Sequence, residues 1–583
     1  MAFKPAQAQH FIIGTPLTGK ADDPLAPYHD AWVMHMSTYD YIIIGGGSAG
    51  CVLANRLSKN PMHKVCLIEA GPPDKSPLIH IPFGIIGLIR EGKHNWGYST
   101  APEPQLNNRP LYWPRGKTLG GSSSINAMVY IRGNPADYDD WAAAGNAGWS
   151  WADLKPVFKA LENNERGANN YHGQGGELNV AEVRDVNPLS KVFLQAGQEC
   201  GLRLNKDFNG EHQDGVGFYQ VTQKDGLRFS SAKAFLTPIL DRPNLTVLTN
   251  TLAEQVIVEN KRAVGVKIRE GNVSRVIRAT KEIVLSGGAI NSPQLLLLSG
   301  IGPQAELEKQ GVTVVHDLPG VGKNLQDHLD VTVMINETSK QSIGLSFAVI
   351  PRMIIDVLRF FTKRRGFLTS NAAEVGGFVS LLGDSAARPG MQLHFIPSFL
   401  RDHGRQFTLG HGLTVHACQL RPKSRGEICL KSANPAEPPL IKPNYLSEQE
   451  DMDYLVASVK MARRLFATKA FASVYGGEDS PGAKVQTDAE IIADIRQRAE
   501  TIYHPVGTCS MGQGAMAVVD EQLRVRGIDG LRVADASIMP TLIAGNTNAP
   551  SMVVGEKAAR MILAGAGAKS AQSEKAVAAT VPA

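Results

Sequence analysis

A glycine-rich turn between an apolar strand and a helix is the feature that most limits what this chain can fold into. Residues 41–50 read YIIIGGGSAG. Gly45 allows a tight turn, Gly47 lets the main chain approach a pyrophosphate, and Gly50 lets the following helix pack closely on the strand. The amide end of that helix then faces the phosphates. The run predicts a dinucleotide site whose phosphate contacts come from Gly45, Gly47, Ser48, Ala49 and Gly50.

An acidic residue completes this pattern. Glu69 follows a second apolar strand, 65–68, at about the distance beyond the glycine turn that a ribose-binding acid requires. Its carboxylate can accept hydrogen bonds from a ribose 2′-hydroxyl and would repel a 2′-phosphate. The pattern therefore favours FAD or NAD over NADP.

Length and composition exclude several classes of protein. A chain of 583 residues is too long for one hydrophobic core, so we expect at least two domains. The net charge of +5 is spread over 60 basic and 55 acidic residues, which argues against nucleic acid as a partner. The six cysteines form no Cys-x-x-Cys pair, so we expect no metal site, no disulfide framework and a reducing compartment. No apolar run is long enough to span a bilayer, and the N-terminus lacks a secretion signal.

Two further segments repeat the order of strand, small-residue turn and helix. They are 282–298 and 531–562, and each would return the chain to the same parallel sheet. Residues 336–503 contain alternating apolar segments that are typical of an antiparallel sheet. We therefore predict an α/β protein, more fully an α+β arrangement of two domains: a Rossmann-like FAD-binding domain with a parallel sheet, and a substrate domain whose antiparallel sheet is flanked by helices. The predicted boundaries are an N-terminal extension at 1–36, a discontinuous FAD-binding domain at 37–190, 228–335 and 504–563, a substrate-binding domain at 191–227 and 336–503, and a disordered tail at 564–583.

Two longer motifs resemble the signatures of the glucose-methanol-choline (GMC) family of flavin oxidoreductases. Residues 115–128 read RGKTLGGSSSINAM, and residues 288–302 read GAINSPQLLLLSGIG. The resemblance runs from residue 39 to about 562 and implies FAD as the cofactor. It also implies a non-covalent flavin, because residues 112–114 contain no histidine where some relatives attach FAD. Besides the glycine turn and Glu69, the resemblance assigns to the cofactor Gly120, Gly121, Asn126, Ala127, Met128, Val129, Asp535, Ala536 and Asn546, with the main chain of Val256 at the adenine.

The same resemblance identifies candidate catalytic residues. His504, in the run YHPVGT, occupies the position of the family's catalytic histidine. A neutral imidazole can take the hydroxyl proton of an alcohol while a hydride leaves for flavin N5. Asn548 is matched to the second active-site position, where its amide would orient the substrate oxygen. Because Pro550 marks a helix start, the positive end of that helix would stabilise negative charge on the flavin.

The resemblance also suggests a substrate class and an electron acceptor. Segments 207–224 and 498–505 are most similar to family members that oxidise aliphatic primary alcohols to aldehydes and pass the electrons to a quinone. We therefore expect an FAD-dependent alcohol dehydrogenase of this kind. Because a fold does not fix a function, three alternatives stay open: a choline or polyether alcohol dehydrogenase, an oxidase that uses O2, and a flavin-bearing lyase or photodecarboxylase.

One segment suggests contact with a membrane. In 350–365, apolar residues recur at helical spacing beside five basic residues. Such a helix fits peripheral contact with anionic lipid as well as it fits packing on the substrate domain. The apolar stretch 79–89 is interpreted as a lid over the flavin. The expected location is the bacterial cytoplasm, with peripheral attachment to the inner face of the cytoplasmic membrane as the alternative.

Overall fold

The computed structural model describes residues 37–344, 346–406 and 408–579, so the predicted N-terminal extension at 1–36 lies outside the described residues. The principal strands, numbered in chain order, are β1 (Thr38–Ile44), β2 (Val65–Ile68), β3 (Gly215–Phe218), β4 (Leu245–Leu248), β5 (Thr251–Glu259), β6 (Arg262–Glu270), β7 (Val273–Leu285), β8 (Leu329–Glu337), β9 (Val375–Val379), β10 (Met391–Ile396), β11 (Gly412–Gln419), β12 (Tyr475–Ser480), β13 (Glu500–Thr501) and β14 (Leu531–Val533). The principal helices are α1 (Ser48–Leu57), α2 (Ile85–Glu91), α3 (Pro135–Ala143), α4 (Trp151–Leu161), α5 (Pro188–Glu199), α6 (Gly288–Leu298), α7 (Ile350–Lys363), α8 (Gln449–Phe466), α9 (Asp488–Arg498) and α10 (Asn548–Ala579).

The first sheet is built around parallel strands, as the sequence predicted. Its order is β4-β2-β1-β7-β6-β5, with β14 beside β7. Strand β1 runs parallel to β2 and β7, while β5 and β6 form an antiparallel extension. The apolar residues Ile42, Ile43 and Val284 are fully buried, as expected of strands covered on both faces. Because β1, β2, β7 and β14 are parallel, their carboxyl ends meet at one edge of the sheet, where ligands bind in this type of fold.

The second sheet is antiparallel and confirms the predicted second domain. Its order is β12-β8-β11-β10-β9-β3, with the short β13 beside β8. Helix α8 packs on β8 and β11 and supplies part of a second hydrophobic core. Strand β8 begins at Leu329, so the chain enters this sheet before residue 336, where the sequence placed the boundary. The alternation of apolar residues in 329–337 indicates a strand but does not tell which sheet it joins.

The last helix is longer than predicted. Helix α10 begins at Asn548 and continues to Ala579, whereas the sequence predicted a disordered tail at 564–583. The predicted tail is rich in alanine, which has the highest helix propensity of the amino acids. A helix can therefore continue there without an apolar stripe to reveal it. The N-terminal turn of α10 matters most for function, because it borders the site described next.

Candidate active site

A cavity of about 930 Å³ lies where the two sheets meet. From the first sheet, its lining includes Ile44, Ile68 and Leu285, the last residues of three parallel strands. The second sheet contributes residues of β8, β10 and β11, among them His394 and His416. Helix α2 adds an apolar wall, which places the predicted lid at the cavity. The cavity therefore extends from the carboxyl edge of the parallel strands, where a nucleotide would bind, to a pocket lined by the antiparallel sheet.

The glycine turn has the shape that a pyrophosphate requires. Gly45 has a φ of +104°, and a Cβ there would lie 2.4 Å from the Ser286 carbonyl oxygen. A Cβ on Gly50 would lie 1.9 Å from the Gly45 carbonyl oxygen, so only glycine lets α1 start so close to β1. At Gly47, by contrast, a Cβ would meet no atom nearer than 4.0 Å, which leaves the space a phosphate needs.

A second small-residue turn closes over the first. Gly120 donates its N–H to the Gly46 carbonyl oxygen at 2.7 Å. A Cβ on Gly121 would lie 2.8 Å from the Gly47 Cα, so only glycine at position 121 lets the two turns approach this closely. Gly120 and Gly50 do not line the cavity; they allow the close packing that shapes it. Gly121 lines the cavity directly.

Glu69 lines the cavity, and its carboxylate braces the glycine turn. Oε2 accepts from the Gly46 N–H at 2.9 Å, and Oε1 accepts from the Gly71 N–H at 2.8 Å. Burial raises the pKa of Glu69 to about 7, although these two N–H donors act in the opposite direction. Each carboxylate oxygen can accept a further hydrogen bond, so a ribose hydroxyl can still bind.

The segment 126–129 lines the cavity. Asn126 Oδ1 accepts from the Met128 N–H at 3.0 Å and from Arg228 Nη1 at 2.8 Å. With the oxygen held in this way, the Nδ2 group is the part of Asn126 that can donate to a cofactor. Met128 adopts a φ of 59°, which is unusual for a residue with a side chain and is supported here by its buried surroundings.

Asp535 joins two turns at the carboxyl edge of the first sheet. Its Oδ2 accepts from the Gly288 N–H at 2.8 Å and from Ser292 Oγ at 2.6 Å, and Oδ1 accepts from the Ser537 N–H at 2.8 Å. The carboxylate thus ties the turn after β14 to the start of α6. Asp535 and Ala536 both line the cavity.

Val256, which was predicted to meet the adenine, does not line the cavity. It is buried within β5, and its N–H donates to Ser299 Oγ at 2.8 Å. The residues of this strand that line the cavity are Thr251, Leu252 and Ala253, at its beginning. The strand that contains Val256 therefore approaches the cavity with its beginning, three to five residues before Val256.

His504 lies at the cavity between the two sheets. Its N–H donates to Asp327 Oδ1 at 2.7 Å, which fixes the main chain. Its Nε2 lies 3.1 Å from Asn546 Nδ2, and its Nδ1 lies 3.0 Å from His328 Nδ1. Burial lowers the pKa of His504 well below its ordinary value, and the neighbouring His328, His394 and Arg115 lower it further. The imidazole is therefore neutral near pH 7 and able to accept a proton.

The asparagine beside His504 is Asn546, whereas the sequence placed Asn548 there. Asn546 Oδ1 accepts from Gln392 Nε2 at 3.0 Å, which directs its Nδ2 group to His504. Asn548 is the first residue of α10, and its Oδ1 accepts from Ser48 Oγ at 2.8 Å. It therefore links the glycine turn to α10. Both asparagines stand in one short run and both line the cavity, so spacing alone cannot distinguish them.

Other polar residues at the site were missed in the sequence. His394, His416, Asp330 and Arg115 line the cavity, and His328 stands behind His504. Asp330 Oδ2 lies 2.5 Å from His416 Nδ1. Burial acts to lower the pKa of His416, but the Asp330 carboxylate outweighs it and leaves the pKa raised. The run 325–328, Leu-Gln-Asp-His, was the one available signal, since it places an acid and a histidine together before a strand.

Comparisons with known proteins agree with this geometry. Two family models, both described as GMC oxidoreductase, match residues 39–330 and 422–555. The chain is 55% identical over 528 residues to an alcohol dehydrogenase [acceptor] of Pseudomonas putida, covering 90% of this chain and 96% of the relative. It is 44% identical over 534 residues to human mitochondrial choline dehydrogenase, covering 90% and 89%. The chain therefore belongs to the GMC oxidoreductases.

Solved structures give the same result. Pyridoxine 4-oxidase from Mesorbium loti matches with a TM-score of 0.80 at 31% identity, over 90% of this chain and 98% of that one. Formate oxidase from Aspergillus oryzae, whose FAD modification has been studied, matches with a TM-score of 0.84 at 28% identity, over 91% and 98%. The protein is an oxidoreductase with FAD as its cofactor. The open space at Gly47, the acid at Glu69 and the donor at Asn126 fit that group.

Glu69 offers a test of the cofactor site. Glu69→Ala should weaken retention of FAD about 10- to 100-fold, because a hydrogen bond to a charged group contributes about 1.5–3 kcal/mol. The measurement is the FAD content and dissociation constant of purified protein. Glu69→Gln keeps one acceptor oxygen and should lie between the wild type and Glu69→Ala. Unchanged retention in Glu69→Ala would count against the ribose assignment.

Proposed function

We propose that this protein oxidises a primary aliphatic alcohol to an aldehyde, with His504 as the general base and Asn546 as the residue that orients the substrate. The observation that carries the proposal is the neutral, buried His504 whose Nε2 faces Asn546 at the cavity. FAD, bound without a covalent link, would supply the acceptor for the hydride that leaves the alcohol carbon. Its proposed contacts are Gly45, Gly47, Ser48, Ala49, Glu69, Gly121, Asn126, Ala127, Met128, Val129, Asp535 and Ala536, with 251–253 near the adenine.

His504 and Asn546 have different roles at the substrate hydroxyl group. In the proposed complex, the hydroxyl donates its proton to His504 Nε2 and its oxygen accepts from Asn546 Nδ2, replacing the direct 3.1 Å contact. His504 then takes the proton as the carbon loses its hydride, and the carbonyl product remains. Asn546 cannot act as a base, because a side-chain amide does not take up a proton near pH 7.

A non-covalent flavin agrees with the composition of the cavity wall. None of the described residues that line the cavity is a cysteine, and its lining histidines are His394, His416 and His504. All three belong to the second sheet or to the loop after β13, on the side where the substrate is proposed to bind. The glycine turns and segment 126–129, which would surround FAD, contribute none of these side chains.

The cavity favours an uncharged alcohol over choline. Its outer wall includes Phe83, Ile86, Met353 and Leu400, which suit an alkyl chain. A quaternary ammonium group needs a nearby acid. Asp330 lines the cavity, but its carboxylate is paired with His416 Nδ1 at 2.5 Å. That pairing offsets the charge of Asp330, while Glu500 also lines the cavity, so choline stands as the second candidate.

Helix α7 supports a peripheral membrane contact. Its apolar stripe does not pack on the second sheet: Leu358 is 60% exposed, Phe361 65%, and Phe347, just before the helix, 94%. Basic residues flank the stripe at Arg352, Arg359, Lys363, Arg364 and Arg365. An exposed apolar face with basic flanks is typical of helices that lie in the headgroup region of anionic membranes. Among the described residues, no helix has both the length and the apolar character to cross a bilayer.

The position of α7 also bears on the electron acceptor. Met353 of α7 lines the cavity, while Ile354 and Leu358 of the same helix are exposed. A membrane in contact with α7 would therefore lie near the cavity, where a lipid-soluble quinone could arrive. We propose a quinone as the acceptor, at the inner face of the bacterial cytoplasmic membrane. Reoxidation of alcohol-reduced protein by a soluble quinone analogue, with little hydrogen peroxide formed in air, would support this over an oxidase.

The base is tested by its removal. His504→Ala should lower the rate of flavin reduction by an alcohol about 10²- to 10⁴-fold, since general base catalysis typically contributes that much. The measurement is stopped-flow absorbance under anaerobic conditions, with FAD content as the control. Near-normal reduction in a variant that keeps its FAD would remove His504 from this role.

Alanine variants of Asn546 and Asn548 should differ in their rates of flavin reduction in the same assay. Asn546→Ala should slow flavin reduction about 10²-fold, because it removes the group that positions the substrate oxygen. Asn548→Ala loses the bond to Ser48 and should mainly weaken FAD retention. The reverse ranking of the two reduction rates would show that Asn548 is the positioning residue.

Membrane contact is tested with vesicles. The triple variant Ile354→Ser, Leu358→Ser, Phe361→Ser should lower binding to phosphatidylglycerol-containing vesicles about 100-fold, because it removes most of the apolar area of the stripe. Cosedimentation gives the bound fraction. The matched control is Met62→Ser, Val273→Ser, Leu382→Ser, whose side chains are also exposed. Equal losses in both triple variants would contradict a specific contact through α7.

A further inference from the structure

His328 lies behind His504, on the side away from the cavity. It is fully buried, immediately precedes β8, and does not line the cavity. Its Nδ1 lies 3.0 Å from His504 Nδ1, and its Nε2 lies 3.1 Å from the Leu420 carbonyl oxygen. The two imidazole rings meet edge to face at an interplanar angle of 89°. His328 therefore contacts the proposed base without reaching the substrate.

These contacts determine which nitrogen of each ring carries a proton. A carbonyl oxygen can only accept, so His328 Nε2 is the donor to Leu420. Burial lowers the pKa of His328 to about 3, so its ring is neutral and its Nδ1 carries a lone pair. That lone pair can only accept, so His504 Nδ1 carries the proton between the two rings.

The proton on Nδ1 determines the state of the other ring nitrogen of His504, Nε2. A neutral imidazole with a proton on Nδ1 has its lone pair on Nε2, the nitrogen that faces Asn546. The opposite tautomer would set two lone pairs 3.0 Å apart at His328 and would direct an N–H at the Asn546 Nδ2 donor. It would lose both hydrogen bonds, so the surroundings favour one tautomer from both sides.

We propose that His328 is a positioning residue that fixes His504 in the tautomer whose Nε2 is free to accept the substrate proton. This inference rests on the proposed function for its catalytic meaning. The tautomer itself follows from the hydrogen bonds to Leu420 and Asn546, whichever substrate binds. When His504 becomes protonated during turnover, the bond from Nδ1 to His328 stays in place, so the ring does not need to turn.

Substitution of His328 tests the catalytic part. His328→Leu removes the acceptor and should lower the saturated rate of flavin reduction by at least about tenfold, because the wrong tautomer offers a proton where a base is needed. His328→Asn can place an amide oxygen near the position of Nδ1 and should recover most of the rate. The alcohol concentration for half-saturation and the FAD content should change little in either variant. Equal rates in the leucine and asparagine variants would overturn the proposal.

The tautomer can also be read directly in the wild-type holoenzyme. Nitrogen-15 NMR of histidine-labelled protein should show His504 protonated on Nδ1 and His328 on Nε2, with His504→Ala and His328→Asn used for assignment. A His504 signal from the Nε2-protonated form would overturn the proposal even if the leucine variant fails to fold. Because this readout needs no alcohol, it remains valid if no alcohol reduces the flavin, and so separates failure of this inference from failure of the proposed function.

Discussion

Hydrogen bonds from both sides hold the His504 ring in place between two sheets while burial keeps it uncharged, and the arrangement of the active site depends on this constraint. Burial lowers its pKa well below the ordinary value, and no carboxylate contacts its ring among the described residues. The Asp327 carboxylate binds the main-chain N–H instead of the imidazole. The side chain is therefore neutral before the substrate binds, which is the state that a base requires.

The cofactor edge is organised by a different constraint, the absence of side chains. Gly47 and Gly121 let two turns meet with no room for a Cβ on Gly121. Buried carboxylates brace the turns of this edge: Glu69 accepts from two N–H donors at the glycine turn and at Gly71, and Asp535 accepts from two N–H donors and one hydroxyl between the turn after β14 and the start of α6. Each buried carboxylate is therefore satisfied by hydrogen bonds to the turns that it joins.

Much of the cofactor site could be predicted from the sequence, because the glycine turn and the strand before it consist of neighbouring residues. Strand β1, the glycine turn and Glu69 follow from local spacing, and the resemblance to GMC oxidoreductases located His504. The rest depends on distant contacts. His328 meets His504 across 176 positions of sequence, and the choice between Asn546 and Asn548 depends on where α10 begins. Asn546 contacts His504, whereas Asn548, two residues later at the helix start, contacts Ser48 of the glycine turn. No local sequence pattern shows which of the two asparagines takes which contact.

An anaerobic titration of the purified holoenzyme with 1-octanol, followed by flavin absorbance, tests the central claim most directly. The account predicts that the flavin is bleached and that one aldehyde forms for each flavin reduced. A parallel titration with choline should bleach the flavin more slowly or only at higher concentration, because Asp330 is already paired with His416. If the flavin stays oxidised with both alcohols while FAD remains bound, the proposed alcohol oxidation is contradicted.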